Sequence, residues 1–170
     1  MSVWFCSSFC IFGMSEILQK SIWRGRFFRY APLILWIGII LFASTSIGAM
    51  SNTSRIIRPL LYFLFPSASE ETITIYHGFI RKLAHLTVYS ILAFWASRAF
   101  WNSTKILLQK YWYLFSFLIV VLVASIDEYN QSFDSLRTGT IYDVLLDASG
   151  GAAMIGILLI YRKFANNRNS

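Results

Sequence analysis

The chain is poor in the residues that usually announce chemistry. It has two cysteines, Cys6 and Cys10, with no C-x-x-C and no Cys/His zinc spacing, which excludes a thiol redox pair and a structural zinc site of the usual kinds. One helical turn apart, the two would constrain nothing if bridged. There is no H-E-x-x-H, no G-x-S-x-G elbow and no G-x-x-x-x-G-K loop, so the familiar zinc-protease, serine-hydrolase and nucleotide-binding patterns are absent. Charge is scarce too. Only 14% of the 170 residues are charged, whereas 56% are hydrophobic and 18% aromatic, too apolar a mixture for a soluble domain of this size to bury.

What is present is a set of uncharged runs. Residues Ala31 to Met50 carry no charge over twenty positions, enough at about 1.5 Å per residue to cross a hydrocarbon core of about 30 Å. Gly78 to Trp101, Tyr111 to Asp127 and Thr140 to Tyr161 are apolar at one end and polar at the other. Between the first two runs, "SRIIRPLLYFLFPSASEE" places Ile56, Ile57, Leu60, Leu61, Leu64 and Phe65 at helical spacing but is too short to span. Pro59 suits its first turn and Pro66 its end, and Ser67 to Glu70 has the S-x-x-E spacing of a helix start. The expected fold is therefore all-α: a polytopic membrane helix bundle with four transmembrane helices plus one short interfacial or re-entrant helix.

This divides the chain into an N-terminal cytoplasmic segment over 1–29, a transmembrane domain over 30–161 and a basic cytoplasmic tail over 162–170. "MSVWFCSSFCIFG" lacks a basic n-region and is too short to span; Met14 is an alternative start, which would make 1–13 a mis-called extension. Lysine and arginine set the orientation. With both termini cytoplasmic, the inner side holds Lys20, Arg24, Arg26, Arg29, Arg98, Lys105, Lys110, Arg162, Lys163 and Arg168. The outer side holds only Arg55, Arg58, Arg81, Lys82 and Arg137. The net charge of +7 then attracts the chain to anionic membrane lipids of the inner leaflet; a nucleic-acid partner is excluded.

Under that topology all acids except Glu16 gather at the outer side. Asp127, Glu128, Asp134, Asp143 and Asp147 fall within one stretch, "VVLVASIDEYNQSFDSLRTGTIYDVLLDASGG". Counting from the inner basic markers, Asp127 stands about 25 Å up its helix, Asp143 about 28 Å, His85 about 20 Å and Asp147 about 22 Å. His85 and Asp147 thus match in depth inside the hydrocarbon, where a carboxylate costs on the order of 2–3 kcal/mol and requires a partner or a polar pocket. Lys82, His85 and Tyr89 share one helical stripe, as do Asp143, Asp147 and Gly150. Ala148, Ala152 and Gly156 form a row of small residues suited to close helix approach. His77 is read as a solvated residue outside the site.

Three ordered motifs then carry a resemblance. "KLAHLTVY" fits K-x-x-H-x-x-x-Y at Lys82, His85 and Tyr89. "DEYNQSF" fits D-E-x-x-Q-x-F at Asp127, Glu128, Gln131 and Phe133. "RTGTIYDVLLDASG" fits R-x5-D-x3-[ND]-x2-G at Arg137, Asp143, Asp147 and Gly150. Over about residues 30 to 160 the chain resembles the VanZ-like family of small bacterial membrane proteins. The resemblance implies a multi-helix protein of the cell envelope in the cytoplasmic membrane, and its founding member is associated with low-level teicoplanin resistance. Two positions depart from the family: Val88 where Glu often precedes the tyrosine, and Ser135-Leu136 where Pro-Gly often precedes the arginine.

The site expected from the residues is a polar pocket made by Lys82, His85, Tyr89, Asp127, Glu128, Gln131, Arg137, Asp143 and Asp147. Three uses stay open. Arg137 and Lys82 could grip an anionic lipid-linked or cell-wall group. The His/Asp/Glu donors could hold a divalent metal or serve an enzyme or proton-coupled transporter, although no cofactor motif is present. Alternatively, salt bridges to Arg81, Lys82 and Arg137 only lock helix register.

Overall fold

A computed structural model describes residues 25–45, 50–133 and 140–167, with no side chain described for 50–54, Ile56 and Asn166. Residues 1–13 and the loop carrying Arg137 lie outside the described residues. The described chain is helical, without a strand: α1 (Gly25–Ala43), α2 (Met50–Leu64), α3 (Glu70–Trp101), α4 (Ile106–Lys110), α5 (Trp112–Gln131) and α6 (Ile141–Asn167).

Three of these, α1, α5 and α6, are long and apolar enough to cross a membrane. The expected count of four is not reached on that criterion, because the second run, Gly78 to Trp101, forms the rest of α3 after its first two turns and carries Arg81, Lys82, His85 and Arg98. That helix is the longest among the described residues, at 32 residues, but these four side chains interrupt its apolar surface. The remaining helices display large apolar side chains outward, among them Phe27, Ile34, Leu35 and Phe42 on α1, Leu118 and Leu122 on α5, and Ile157 and Ile160 on α6. Such a surface belongs in lipid, and the chain is a membrane protein.

Several boundaries differ from the sequence reading. Helix α1 starts before Ala31 and stops at Ala43, where Thr45 bonds the Phe42 carbonyl at 2.6 Å and Ser44 donates to the Asp127 carbonyl at 3.2 Å. The Thr45 hydroxyl takes a carbonyl that a further turn of helix would use, and the Ser44 bond ties the end of α1 to α5. Pro59 lies inside α2, not in its first turn. The cap of α3 is Ser69, whose Oγ accepts from the Thr72 amide at 3.3 Å, so the Ser67–Glu70 pairing is displaced by two residues.

Helix α3 is the hub, packing on α2, α4, α5 and α6. Its buried face is narrow, with Leu92, Ala93, Ala96, Ser97 and Ala99, and small side chains let helices approach where hydrophobic expulsion from water is unavailable. The tightest contacts use Gly150 and Gly151. A Cβ on Gly150 would stand 2.5 Å from the Leu86 carbonyl oxygen, and one on Gly151 2.7 Å from Val120 Cγ1. Ser90 Oγ spans the first crossing, 2.8 Å from both the Leu86 and Gly150 carbonyls. The row Ala148, Ala152 and Gly156 does not make this approach: Ala152 is exposed and nothing stands within 4 Å of a Cβ at Gly156.

An aromatic knot ties the other end. Trp101 of α3 stacks on buried Trp112 of α5 at 5.6 Å, and the Arg162 guanidinium of α6 lies over the Trp101 ring at 4.6 Å, a favourable cation–π contact. From this shared level, His85 lies about 24 Å along α3, Asp127 about 22 Å along α5 and Asp147 about 22 Å along α6, at 1.5 Å per residue. The uniform rise of three helices pinned at one end delivers the three side chains to one level.

Candidate functional site

At that level the polar residues converge. His85 Nδ1 is 3.4 Å from Asp147 Oδ2. Asp147 is fully buried, and its Oδ1 has no hydrogen-bond donor among the described residues. An unmatched buried acceptor costs about 1–3 kcal/mol, more when charged. Asp127 is better served. Tyr89 donates its hydroxyl to Oδ2 at 2.9 Å, and Gln131, one turn along the same helix, donates to Oδ1 at 2.9 Å. Arg81 donates to the Gln131 amide oxygen at 3.1 Å, so a chain of hydrogen bonds runs from Arg81 through Gln131 to Asp127. The His85 and Tyr89 rings are stacked, with centroids 6.4 Å apart.

Glu128 is also buried. One donor atom each from His85, Asp127, Glu128 and Asp147 lies within 4.8 Å of the other three. Consecutive residues on α5 point 100° apart, so Asp127 and Glu128 reach this cluster from two edges of one helix.

A cleft of about 220 Å³ opens beside the cluster. Its walls are apolar: Ile40 and Ala43 of α1, Ile57 of α2, and Ile80, Ala84 and Val88 of α3. Arg81, His85, Tyr89, Asp127, Gln131 and Ser44 supply its polar lining. A largely apolar cleft that also presents a guanidinium and hydrogen-bonding groups suits an amphiphile with a polar head.

The VanZ/LLP1 family model matches residues 27–162. The chain belongs to that family. No curated protein and no solved structure matches the chain. In this VanZ/LLP1 protein the matched segment takes in all but the first two residues of α1, the whole of α2 to α5, most of α6 and the whole cluster.

Of the expected site residues, His85, Tyr89, Asp127, Glu128, Gln131 and Asp147 are brought together. Lys82 is exposed on α3, and Arg81 takes the position beside the cleft. Spacing alone does not separate the two: Arg81 leads His85 by four residues and Lys82 by three, both on the same broad face. Asp143 is drawn to the start of α6, where it accepts from Thr140 Oγ1 at 2.7 Å while its amide donates back to that hydroxyl at 3.3 Å, a capping arrangement. Arg137 lies outside the described residues. His77, read as solvated, is buried at 2% exposure, and its Nε2 has no partner among the described residues. Ser44 and Arg81 are the lining groups the stripe did not name.

Proposed function

We propose that this VanZ/LLP1 protein is a non-catalytic protein of the bacterial cytoplasmic membrane that binds an anionic lipid or lipid-linked cell-wall group in the cleft between α1, α2, α3 and α5. The observation that carries the reading is the union of a largely apolar cleft with Arg81 in its lining. Arg81 is already oriented by Gln131, and a guanidinium pre-set in this way suits a phosphate or carboxylate. In this reading α3 is the fourth crossing helix, α2 lies along the interface, both termini are cytoplasmic and the cleft faces outward. A ligand there would be a cell-wall intermediate or a lipid competing with it, which connects the protein to glycopeptide (teicoplanin) sensitivity.

Mass spectrometry of the protein extracted in mild detergent tests this. About one anionic lipid per chain should be retained by the wild type and at least about tenfold less by Arg81→Gln, because hydrogen bonds to a charged group contribute about 1.5–3 kcal/mol, or at least about tenfold in affinity. Equal retention by both proteins, or retention of zwitterionic lipid alone, overturns the reading.

A second reading is a membrane-embedded enzyme or proton-coupled transporter, favoured by the convergence of His85 with three buried carboxylates. It requires Glu128→Gln to abolish function while lipid retention persists.

A further inference from the structure

The cluster holds more acid than its described neighbours can balance. Asp127, Glu128 and Asp147 are buried together, yet among the described residues Arg81 donates to the Gln131 amide oxygen and to no carboxylate of the cluster, and Lys82 is exposed. His85–Asp147 is the one ion pair within the cluster among the described residues. The other oxygen of that fully buried aspartate meets no donor among the described residues. Carboxylates at membrane depth call for an opposing charge.

We infer that His85, Asp127, Glu128 and Asp147 form a binding site for a first-row divalent metal ion of the Mn2+ or Zn2+ kind. Four donors from three helices stand within 4.8 Å of one another. Ligands held about 2.1 Å from one ion stand about 3.4 Å apart in a tetrahedron, so the widest-spaced donors draw together by up to about 1.4 Å, a movement within the reach of side-chain torsions, to close on an ion. One imidazole nitrogen with carboxylate oxygens disfavours Ca2+ and Mg2+, which take oxygen ligands and, for Mg2+, retained water.

The surroundings match this use. Tyr89 and Gln131 each hold one oxygen of Asp127, and Arg81 holds Gln131. Hydrogen bonds of this kind fix the orientation of ligand carboxylates. The orphaned Asp147 oxygen gains a partner, and the ion offsets two of the buried negative charges. The same chain through Gln131 links the ion to Arg81 in the cleft. The site nonetheless stands without the headgroup reading, since it rests on the cluster and not on the cleft.

The test uses the full chain in detergent, stripped with EDTA, dialysed and titrated with MnCl2. Free aqueous Mn2+ gives a six-line electron paramagnetic resonance signal that collapses on binding. About one Mn2+ per chain should be taken up, Zn2+ should displace it, and Asp147→Asn and Glu128→Gln should each weaken uptake at least about tenfold. Melting temperature keeps the result clear of misfolding. Mn2+ should raise that of the wild type and leave Asp147→Asn unmoved, while in EDTA the variant should melt no lower than the wild type, having shed a buried charge. Undiminished Mn2+ signal with an unmoved wild-type melting temperature overturns the site. If Arg137→Gln then lowers the melting temperature, the balancing charge is that guanidinium and not a metal. Because uptake is read from Mn2+ alone, failure of lipid retention leaves this result intact, and the reverse holds.

Discussion

The Leu86 carbonyl oxygen occupies the place where Gly150 would carry a Cβ, 2.5 Å from it. Leu86 adjoins His85, and Gly150 lies one turn beyond Asp147, so this close backbone approach, the tightest at any described glycine, sits beside the His85–Asp147 contact. The distance between α3 and α6 at the cluster is therefore set by a missing methyl group.

Gly150→Ala should force the two backbones apart. Overpacking against a side chain costs about 1–3 kcal/mol, and here the obstacle is backbone, so the upper end applies. Gly156→Ala has open space and should be neutral or gain up to about 1 kcal/mol from helix propensity. Intrinsic tryptophan fluorescence on heating the detergent-solubilised variants measures both, and equal melting temperatures would remove the close-approach argument.

Tyr89 and Asp127 should be energetically coupled. Removing the hydroxyl with Tyr89→Phe leaves Asp127 Oδ2 without the donor it has at 2.9 Å. Hydrogen bonds to charged groups contribute about 1.5–3 kcal/mol, so Tyr89→Phe should destabilise by that order, and much less when Asp127→Asn is already present. A double-mutant cycle measures the difference; additive effects would mean that the two do not interact.

Stability and function should separate at Asp147. A helix lock needs only shape and hydrogen bonding, which Asp147→Asn retains while shedding a buried charge. A ligand site needs the charge itself. We expect Asp147→Asn to keep normal membrane abundance and metal-free melting temperature yet behave as a null in glycopeptide-sensitivity assays. Full function at unchanged stability would leave the cluster a structural lock.

Much of this arrangement was legible in the chain because helix rise is uniform. Counting residues from basic markers brings His85 and Asp147 to nearly one depth, and the structure places them 3.4 Å apart. Azimuth is less legible than depth. Arg81 and Lys82 differ by 100° about the axis, and only the positions of α1, α2 and α5 decide which one meets the cleft. Likewise, a row of small residues marks where helices can approach but not which glycine meets a backbone, so Ala148, Ala152 and Gly156 read as well as Gly150 and Gly151. His77 carried no signal of burial, since its neighbours Tyr76 and Gly78 suit either environment. The four-residue break between α3 and α4 gave no helical period to read.

The side on which the cluster opens depends on whether α3 crosses the membrane. Its 32 residues reach about 48 Å, longer than the hydrocarbon core, but Arg81 and Lys82 make its hydropathy ambiguous. Cysteine labelling resolves this in a background carrying Cys6→Ser and Cys10→Ser. Ser69 and Thr104 flank α3, and both are exposed, whereas Ser103 is buried and accepts the Tyr30 hydroxyl at 3.1 Å, making it a poor reporter. If α3 crosses, a membrane-impermeant maleimide applied to intact cells should label Ser69→Cys and not Thr104→Cys, and Asn167→Cys at the far end of α6 should be protected like Thr104→Cys. That pattern puts the Arg81 end of α3 and the cleft outside, with the lysine- and arginine-rich ends inside, as charge bias requires. Labelling of Ser69→Cys and Thr104→Cys on one side would make α3 a non-crossing helix. Labelling of Thr104→Cys and Asn167→Cys with Ser69→Cys protected would invert the protein and turn the cleft toward the cytoplasm, where an exported cell-wall group could not reach it.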